Sequence, residues 1–173
     1  MLRSFSTPTA QIVLDACLEG FGGYLVNKSY YEGSWSNEIK NHQLSISSLE
    51  CLNCLYAVRQ FQDQLKGQTV LLWCNNKSTV SSLMSGKARD PVIAGVLREM
   101  WKICVSNDIH LIVEHRSGEQ MLVPDILSRK HRGKAEAAKC RYLSSIINGK
   151  QIRVSTQHQK LPECSLSKAS KID

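Results

Sequence analysis

Apolar residues in the first third of the chain fall into three short runs separated by turn residues. The runs cover 11–17, 20–27 and 30–36, and each has the length and composition of a strand. The gaps between them are only a few residues long, which favours hairpins. The pattern therefore predicts an antiparallel meander of three strands, with Asp15 near the end of the first.

The spacing of apolar residues becomes helical near residue 47. Apolar positions recur at roughly helical intervals over 52–65, and Gly67 is a natural place for the helix to stop. Ser47 and Glu50 have the S-x-x-E spacing of a capping box. A long helix that begins at Ser47 is therefore predicted.

Strands and helices alternate in the second half of the chain. The predicted elements are a strand at 69–74, a helix at 77–84, a helix opened by Asp90 and Pro91, a strand at 109–115 and the first turns of a helix at 123–129. Strands separated by helices pair most easily in parallel, through right-handed crossovers. We therefore expect an α/β protein with a five-stranded mixed sheet, three antiparallel strands and then two parallel ones, flanked by helices on both faces.

The charges of the chain are unevenly distributed. Residues 1–129 contain 12 basic and 12 acidic residues, whereas 130–173 contain 10 and 3, so the whole net charge of +7 lies in the C-terminal part. We expect one domain over 8–130 and a basic, partly disordered tail over 131–173, because the tail is polar and rich in Ser and Lys. Such a tail commonly touches nucleic acid or another polyanion, and a solvated tail without a specific partner fits the charge equally well.

Bulk features favour an intracellular protein. The seven cysteines are odd in number and lack close, even spacing, which is typical of a reducing compartment. No apolar run approaches the ~20 residues of a membrane span, and the N-terminus lacks the apolar core of a signal peptide. A cytoplasmic or nuclear location, without secretion or membrane contact, is expected.

Two smaller motifs are interpreted as packing. The stretch CLNC at 51–54 would need further ligands to hold zinc, and the sequence has no second CxxC. Its cysteines are therefore expected to pack within the long helix. Trp35, Trp73 and Trp101 are likewise expected in the core rather than stacked on bases.

Three carboxylates occupy positions suited to chemistry. Asp15 closes the first strand, Glu50 lies in the first turn of the long helix, and Asp125 opens the final helix. Taken singly, each is an ordinary turn or capping residue. In the predicted topology all three project towards one end of the sheet, where clustered carboxylates repel each other unless cations lie between them. Mg²⁺ takes oxygen ligands, and a pair of such ions clamps a phosphodiester during hydrolysis, so the cluster indicates hydrolysis of nucleic acid.

The motifs around these acids resemble a known family. The stretch DACLEGFGG is similar to the D-A-S-x-x-G-W-G opening of the ribonuclease H domains attached to reverse transcriptases, and HRSGEQMLVPDILSR resembles their H-x-x-G-x-x-N-x-x-A-D-x-L-S-R ending. Residues 33–68 resemble their G-x-W-S-x-x-E…H-x-N-x-L-E-L-x-A segment. The G-x-W-S and L-S-R elements look most like the DIRS group of tyrosine-recombinase retrotransposons. The resemblance covers roughly residues 10–129 and implies a ribonuclease H-like fold.

The resemblance also implies a metal site that lacks one ligand. The family cleaves RNA in RNA–DNA hybrids with two Mg²⁺ ions, held by four acids in the order D-E-D-D. Asp15, Glu50 and Asp125 match the first, second and fourth acids, which makes them the expected metal-binding and catalytic residues. Asn75 replaces the third acid, in the tripeptide CNN at 74–76 where the family has T-D-N.

Four further positions match residues that the family uses on its substrate. His115 matches a histidine that assists product or proton handling, which makes it an expected catalytic residue, with an ordinary strand-end histidine as the alternative. Gly20, Gly22 and Asn76 are expected to contact substrate. The expected partners are an RNA–DNA hybrid or other nucleic acid, and a separate reverse transcriptase domain.

The substitution at Asn75 bears directly on activity. Four acids balance the charge of two Mg²⁺ ions, whereas three acids leave an excess of one positive charge. At ~4 Å, one charge–charge interaction amounts to ~4 kcal/mol at an effective dielectric constant of ~20, and losing ~3 kcal/mol slows a reaction about a hundredfold. We therefore expect strongly impaired or absent cleavage. A binding domain without catalysis and a decayed retrotransposon fragment are the alternatives.

Overall fold

The chain forms a mixed sheet covered by helices. The computed structural model describes residues 7–117, 150–151 and 161. The strands are β1 (Ala10–Ala16), β2 (Gly20–Leu25), β3 (Ser29–Ser34), β4 (Thr69–Cys74), β5 (His110–His115) and β6 (Lys150–Gln151). The helices are α1 (Asn37–Asn41), α2 (Ile46–Leu65), α3 (Lys77–Ser85) and α4 (Pro91–Ser106). The first five strands and the three longer helices agree with the predicted elements.

The strand order confirms the predicted topology. The strands lie in the order β5-β4-β1-β2-β3-β6. β1, β2 and β3 pair antiparallel, and β4 pairs in parallel with both β1 and β5. The crossover into β4 contains α2, and the crossover into β5 contains α3 and α4. The carboxyl ends of β1, β4 and β5 consequently meet at one edge of the sheet.

A sixth strand extends the sheet beyond the five that were predicted. β6 pairs in parallel with β3, with Lys150 opposite Ser29 and Gln151 opposite Tyr30. Leu161 is buried and belongs to the core. A two-residue strand has no alternation that a sequence pattern could reveal. These positions of the predicted tail thus pack on the domain, and the boundary near 130 stays a prediction because 118–149 lies outside the described residues.

α2 packs across the centre of the sheet. It contacts β1, β2 and β4 on one side and α4 on another. Because it is covered from several directions, every residue from Ser48 to Val58 is buried. A helix buried all round normally carries apolar residues. Glu50 and Asn53 depart from that rule, which indicates that their side chains do more than fill space.

Aromatic rings fill the space between α2 and the first three strands. The ring centroid of Phe21 lies 4.6 Å from that of Trp35 and 5.3 Å from that of Tyr56. The Trp35 indole N–H donates to the Cys17 carbonyl at 2.8 Å, so its polar atom is satisfied inside the core. The prediction that Trp35 belongs to the core is confirmed.

The other two tryptophans are more exposed than predicted. Trp73 is half-buried, and the guanidinium of Arg116 lies 4.5 Å from its ring centroid. Trp101 is 69 % exposed, so its predicted place in the core is wrong. The core stripe of α4 contains Val96 and Met100, and Trp101 is turned ~100° away from Met100 because successive helical residues rotate by that angle.

The helix starts are fixed by capping side chains, one of which differs from the prediction. The N-cap of α2 is Ser45, whose hydroxyl accepts a hydrogen bond from Ser48 N–H at 3.2 Å. The capping box predicted from Ser47 is therefore wrong, because the chain turns into helix earlier. Asp90 caps α4 as predicted, and Pro91 is its first residue.

The four described helices share one core. Ile39 of α1, Val80 of α3 and Val96 of α4 all pack in the cluster that α2 forms with the sheet. The prediction that helices also cover the second face depends on the helix at 123–129, which lies outside the described residues. Within the described ranges, no helix is both long and apolar enough to cross a membrane.

Candidate active site

The predicted site residues on β1, β4 and β5 come together at one edge of the sheet. The parallel register of β1 and β4 pairs residues whose numbers differ by 60, up to Val13 and Trp73. Continued two residues further, this register would set Asp15 beside Asn75. On the far side of β4, Cys74 pairs with His115. Neighbouring strands lie ~4.8 Å apart, so the backbone of His115 is ~10 Å from that of β1. Asp15 and the third-acid position are therefore neighbours, and the exposed His115 lies further out.

Glu50 reaches the same edge from the start of α2. Its side chain is 2 % exposed, and its Oε1 accepts a hydrogen bond from Ala16 N–H at 3.1 Å. Its Oε2 is also buried, and no N–H or O–H of the described residues donates to it. Asp15 is 4 % exposed and directly precedes Ala16, whose N–H holds Glu50, so the two buried carboxyl groups are neighbours. The structure thus brings two of the three predicted acids together in the interior.

The surroundings of Glu50 favour its protonated form. Burial raises the pKa of the Glu50 carboxyl well above its ordinary value, and negative charge on Cys74 and Asp15 raises it further. The hydrogen bond from Ala16 N–H lowers the same pKa by a smaller amount. A proton shared between Glu50 and Asp15 would supply the donor that Oε2 lacks. A divalent cation would also neutralise the pair and would release that proton.

The chemistry of this pair fits a divalent cation. Mg²⁺ is usually held by one or two carboxylates, with waters and phosphate oxygens completing its shell. Asp15 and Glu50 offer two adjacent carboxylates, one with a buried oxygen that receives no hydrogen bond. Within the described part of the chain, no three His, Cys, Asp or Glu side chains could jointly hold a metal. The third predicted ligand, Asp125, lies outside the described residues.

The two adjacent asparagines have different surroundings. Asn76 is the N-cap of α3, since its Oδ1 accepts from Thr79 N–H at 2.9 Å, and its Nδ2 donates to Ser47 Oγ at 3.2 Å. This capping role accounts for Asn76, and its contact with substrate stays a prediction. Asn75 is half-buried and directly follows β4, so the predicted third-acid position carries a neutral amide.

The two glycines predicted to contact substrate lie within the sheet. Gly22 pairs with Asp15, and Gly20 pairs with Ser34. Both glycines are buried. Gly22 therefore borders the acidic pair through its backbone, and the substrate contact of both glycines stays a prediction.

Asn53 is a neighbour of the acids that the sequence interpretation missed. It is fully buried on α2, and its Nδ2 donates to the carbonyls of Asp15 at 2.9 Å and Gly22 at 3.1 Å. A signal was present in the sequence, because Asn53 follows Glu50 by three residues and so shares its side of the helix. The strand to which it would bond could not be inferred from that spacing.

The cysteines of the CLNC motif pack in the core, as predicted. Cys51 and Cys54 are fully buried, and burial is the main reason that the pKa of Cys51 rises to about 12. The Cys54 and Cys74 thiols hydrogen-bond to each other, which raises the pKa of Cys54 and lowers that of Cys74. This contact joins α2 to the end of β4, directly before Asn75.

A large groove lies away from the acidic pair. It has a volume of ≈ 970 Å³ and lies between α3, α4 and β5. Its lining includes Met84 and Trp101, which are exposed apolar side chains, and the basic residues Lys87 and Lys102. None of the described site residues lines this groove, so the groove and the acidic pair are separate features of the structure.

Comparisons with known proteins do not assign this chain to a family. No family model matches it, and no curated protein matches it. Among solved structures, a ribonuclease H1 isolated from compost by a metagenomic approach matches with a TM-score of 0.48 and 16 % sequence identity. The match covers 70 % of this chain and 93 % of that chain. At this TM-score and identity the likeness assigns neither a family nor a residue role to this chain.

Proposed function

We propose that this chain is a retroelement-derived ribonuclease H-like domain, of the kind attached to reverse transcriptases and most like that of the DIRS group. Its inherited reaction is the two-metal hydrolysis of RNA in an RNA–DNA hybrid, and its own cleavage is strongly impaired by Asn75. The observation that carries the proposal is the burial of two adjacent acids at the carboxyl end of β1, where the N–H of the residue after Asp15 donates to Glu50 Oε1 at 3.1 Å. The motifs around these acids resemble those of the ribonuclease H domains attached to reverse transcriptases, and the proposed substrate follows from that resemblance.

The buried pair supports a metal-dependent reaction on physical grounds. Two carboxylates in contact inside a protein destabilise each other when both are ionised. Such an arrangement is costly to the fold, and perturbed acids of this kind concentrate at functional sites. Glu50 Oε2 receives no hydrogen bond from the described residues, and the burial of both acids leaves the negative charge of the pair poorly solvated. A bound cation would.

The roles of the chain's own residues follow from their contacts. Bound Mg²⁺ would supply charge neutralisation and an activated water. Asp15 and Glu50 would hold the ion, with Asp125 as the predicted third acid. Glu50 would lose its proton on binding, and Ala16 N–H would keep its carboxylate oriented. His115 keeps its predicted part in product or proton handling.

The amide at residue 75 supports the proposed impairment. Asn75 directly follows β4, and the register of β1 and β4, continued two residues past Val13 and Trp73, places it beside Asp15. A carboxylate at residue 75 would then border the same ion. An amide oxygen can still coordinate Mg²⁺, but it adds no negative charge to the site. The missing negative charge is expected to weaken the stabilisation of charge in the transition state. A loss of ~3 kcal/mol of such stabilisation slows the reaction about a hundredfold.

Cleavage of a labelled RNA–DNA hybrid by restored variants tests the proposal. Asn75→Asp is expected to cleave the RNA strand in Mg²⁺ and to lose this activity in EDTA. Asp15→Asn in the same background is expected to abolish the cleavage, because it removes a ligand from the pair. If Asn75→Asp cleaves equally well with and without Asp15, the acids are not the catalytic site and the proposal fails.

A further inference from the structure

We infer that Asn53 is a positioning residue for the metal-binding pair, because Asn53 and Glu50 hold opposite ends of the peptide group that follows Asp15. The inference rests on the proposed function, since it assigns Asn53 a part in forming the cation site. It concerns affinity for the cation. Asn53 touches neither the reacting atoms nor the cation.

The hydrogen bonds of Asn53 use its whole side-chain amide. Both Nδ2 hydrogens are donated, one to the Asp15 carbonyl at 2.9 Å and one to the Gly22 carbonyl at 3.1 Å. The Tyr31 hydroxyl donates to Asn53 Oδ1 at 2.6 Å and fixes the orientation of the amide. The side chain is 0 % exposed. A fully satisfied amide in the core holds its partners in one arrangement.

The peptide group between Asp15 and Ala16 is held from both sides. Its carbonyl accepts from Asn53, and its N–H donates to Glu50 Oε1 at 3.1 Å. In a trans peptide these two groups point in opposite directions, so the two side chains flank β1. Asn53 and Glu50 are three residues apart on α2 and therefore lie on one side of the helix. One helical turn thus clamps the backbone at the residue that carries the first acid.

The bonds from Asn53 are additional to the ladder between β1 and β2. Cys17 N–H donates to the Gly20 carbonyl, and directly opposed residues alternate along an antiparallel pair. Asp15 and Gly22 are consequently a hydrogen-bonded pair whose carbonyls already have ladder partners. Asn53 is therefore not required to satisfy these carbonyls. What it adds is a fixed position of α2, and hence of Glu50, relative to Asp15.

Binding of Mn²⁺ to the full chain, followed by electron paramagnetic resonance, tests this role without any cleavage reaction. Asn53→Ala is expected to weaken Mn²⁺ binding by about tenfold to a hundredfold, the range found when groups that orient metal ligands are removed. The spectrum of the bound ion should also change, because its two carboxylates are no longer held in one geometry. Circular dichroism at each titration point shows that the variant is folded.

The matched control is Leu65→Ala, in the last turn of the same helix. Leu65 is fully buried but lies ~18 Å along α2 from Asn53, so its loss destabilises the protein without touching the pair. Leu65→Ala is expected to bind Mn²⁺ as the wild type does. If Asn53→Ala and Leu65→Ala bind the ion equally, the positioning role is overturned while the metal site stands.

A second variant covers the case in which Asn53→Ala does not fold. Tyr31→Phe keeps Asn53 but removes the hydroxyl that orients its amide, so it should weaken Mn²⁺ binding by a smaller factor. Wild-type affinity in Tyr31→Phe would then overturn the inference. If the wild-type chain binds no Mn²⁺ at all, the metal site itself is absent, and both the proposed function and this inference fail.

Discussion

At the scale of single residues, the fold favours a proton on Glu50. Burial and the nearby charges of Cys74 and Asp15 raise the pKa of this carboxyl in the folded protein above its value in the unfolded chain, and the hydrogen bond from Ala16 N–H offsets only part of that rise. The folded state then binds a proton more tightly than the unfolded state does. The stability that this proton contributes is fully present below the pKa of the unfolded chain, ~4.3. It is lost as the pH rises through the higher pKa of the folded protein.

Glu50→Gln is therefore expected to stabilise the metal-free protein at neutral pH. Glutamine keeps an oxygen for Ala16 N–H and adds an amide donor towards Asp15, so it imitates the protonated acid. The gain in the free energy of unfolding should be small at pH ~4 and larger at pH ~7.5, with about 1.4 kcal/mol for each unit by which the pKa is raised. Urea unfolding at both pH values measures it. The control Asp63→Asn, an exposed substitution on the same helix, should show no such gain. Equal stability of Glu50→Gln and the wild type at pH ~7.5 would contradict the raised pKa.

Cation binding should depend on pH for the same reason. Because the ion must displace the proton of the Asp15–Glu50 pair, its affinity is expected to rise by about tenfold per pH unit while the pair is protonated, and to level off above the folded pKa. Calorimetric titration with Mn²⁺ in buffers of different ionisation enthalpy counts the protons released. An affinity that stays constant between pH ~5.5 and ~8, with no proton release, would contradict this account.

The residues of the site were predictable to different degrees. Asp15 and Glu50 could be predicted because each lies at the end of a strand or helix whose pattern is clear, and because their motifs resemble a family. Asn53 could not, since its bonds to β1 and β2 are set by how α2 lies on the sheet. The local sequence shows on which side of the helix Asn53 lies, but it does not show which strands that side faces.

At the scale of elements, α2 depends on its cap. Ser45, Ser47 and Ser48 all precede or begin the apolar run, and the structure selects Ser45 as N-cap. The sequence favoured Ser47 because Glu50 follows it at capping-box spacing. Glu50 is instead turned towards β1, which removes it from any capping role. The contact of Glu50 with β1 thus explains why the local pattern misled.

Ser45→Ala is expected to lower the free energy of unfolding by about 1 kcal/mol, the typical cost of removing an N-cap hydroxyl. Thermal or urea unfolding monitored by circular dichroism measures the change. The control is Ser81→Ala, an exposed substitution inside α3, which should be neutral or slightly stabilising because alanine favours helix. Equal effects of the two substitutions would show that Ser45 does not cap α2.

The remaining elements divide by length. Strands of six or seven residues and helices of nine or more show a clear period, and the sequence predicted them. α1 has five residues and β6 has two, so neither is long enough for a period to be seen. α1 is positioned by the packing of Ile39 into the core. β6 is positioned by its pairing with the outer edge of β3.

At the scale of the whole molecule, the topology followed from the order of strands and helices. Strands separated by helices pair most easily in parallel, and the structure places β4 and β5 beside β1 in this way. The same rule brings the carboxyl ends of the three strands together and so explains why Asp15 and Asn75 are neighbours. The sequence also separates a neutral part, 1–129, from a part with a net charge of +7.

The basic residues at the C-terminus are expected to add salt-dependent affinity for nucleic acid. Replacing Lys168 and Lys171 by Gln should weaken binding to an RNA–DNA hybrid at low salt. It should also make the plot of log affinity against log salt shallower, by up to about 0.9 for each phosphate that is no longer neutralised. Gel-shift titrations at several salt concentrations measure both effects. The expectation fails if the wild type does not bind at low salt, or if the double variant keeps the wild-type slope.

The central claim is that Asn75 impairs a metal site whose other acids are present. The most direct measurement is the single-turnover rate of hybrid cleavage in Mg²⁺ for the wild type, Asn75→Asp and Asn76→Asp. Asn76→Asp is a matched control, because it adds the same charge one residue away and aspartate can still cap α3. Asn75→Asp is expected to cleave about a hundredfold faster than the wild type, and Asn76→Asp is expected not to exceed the wild-type rate. Equal rates for the wild type and Asn75→Asp would contradict the claim.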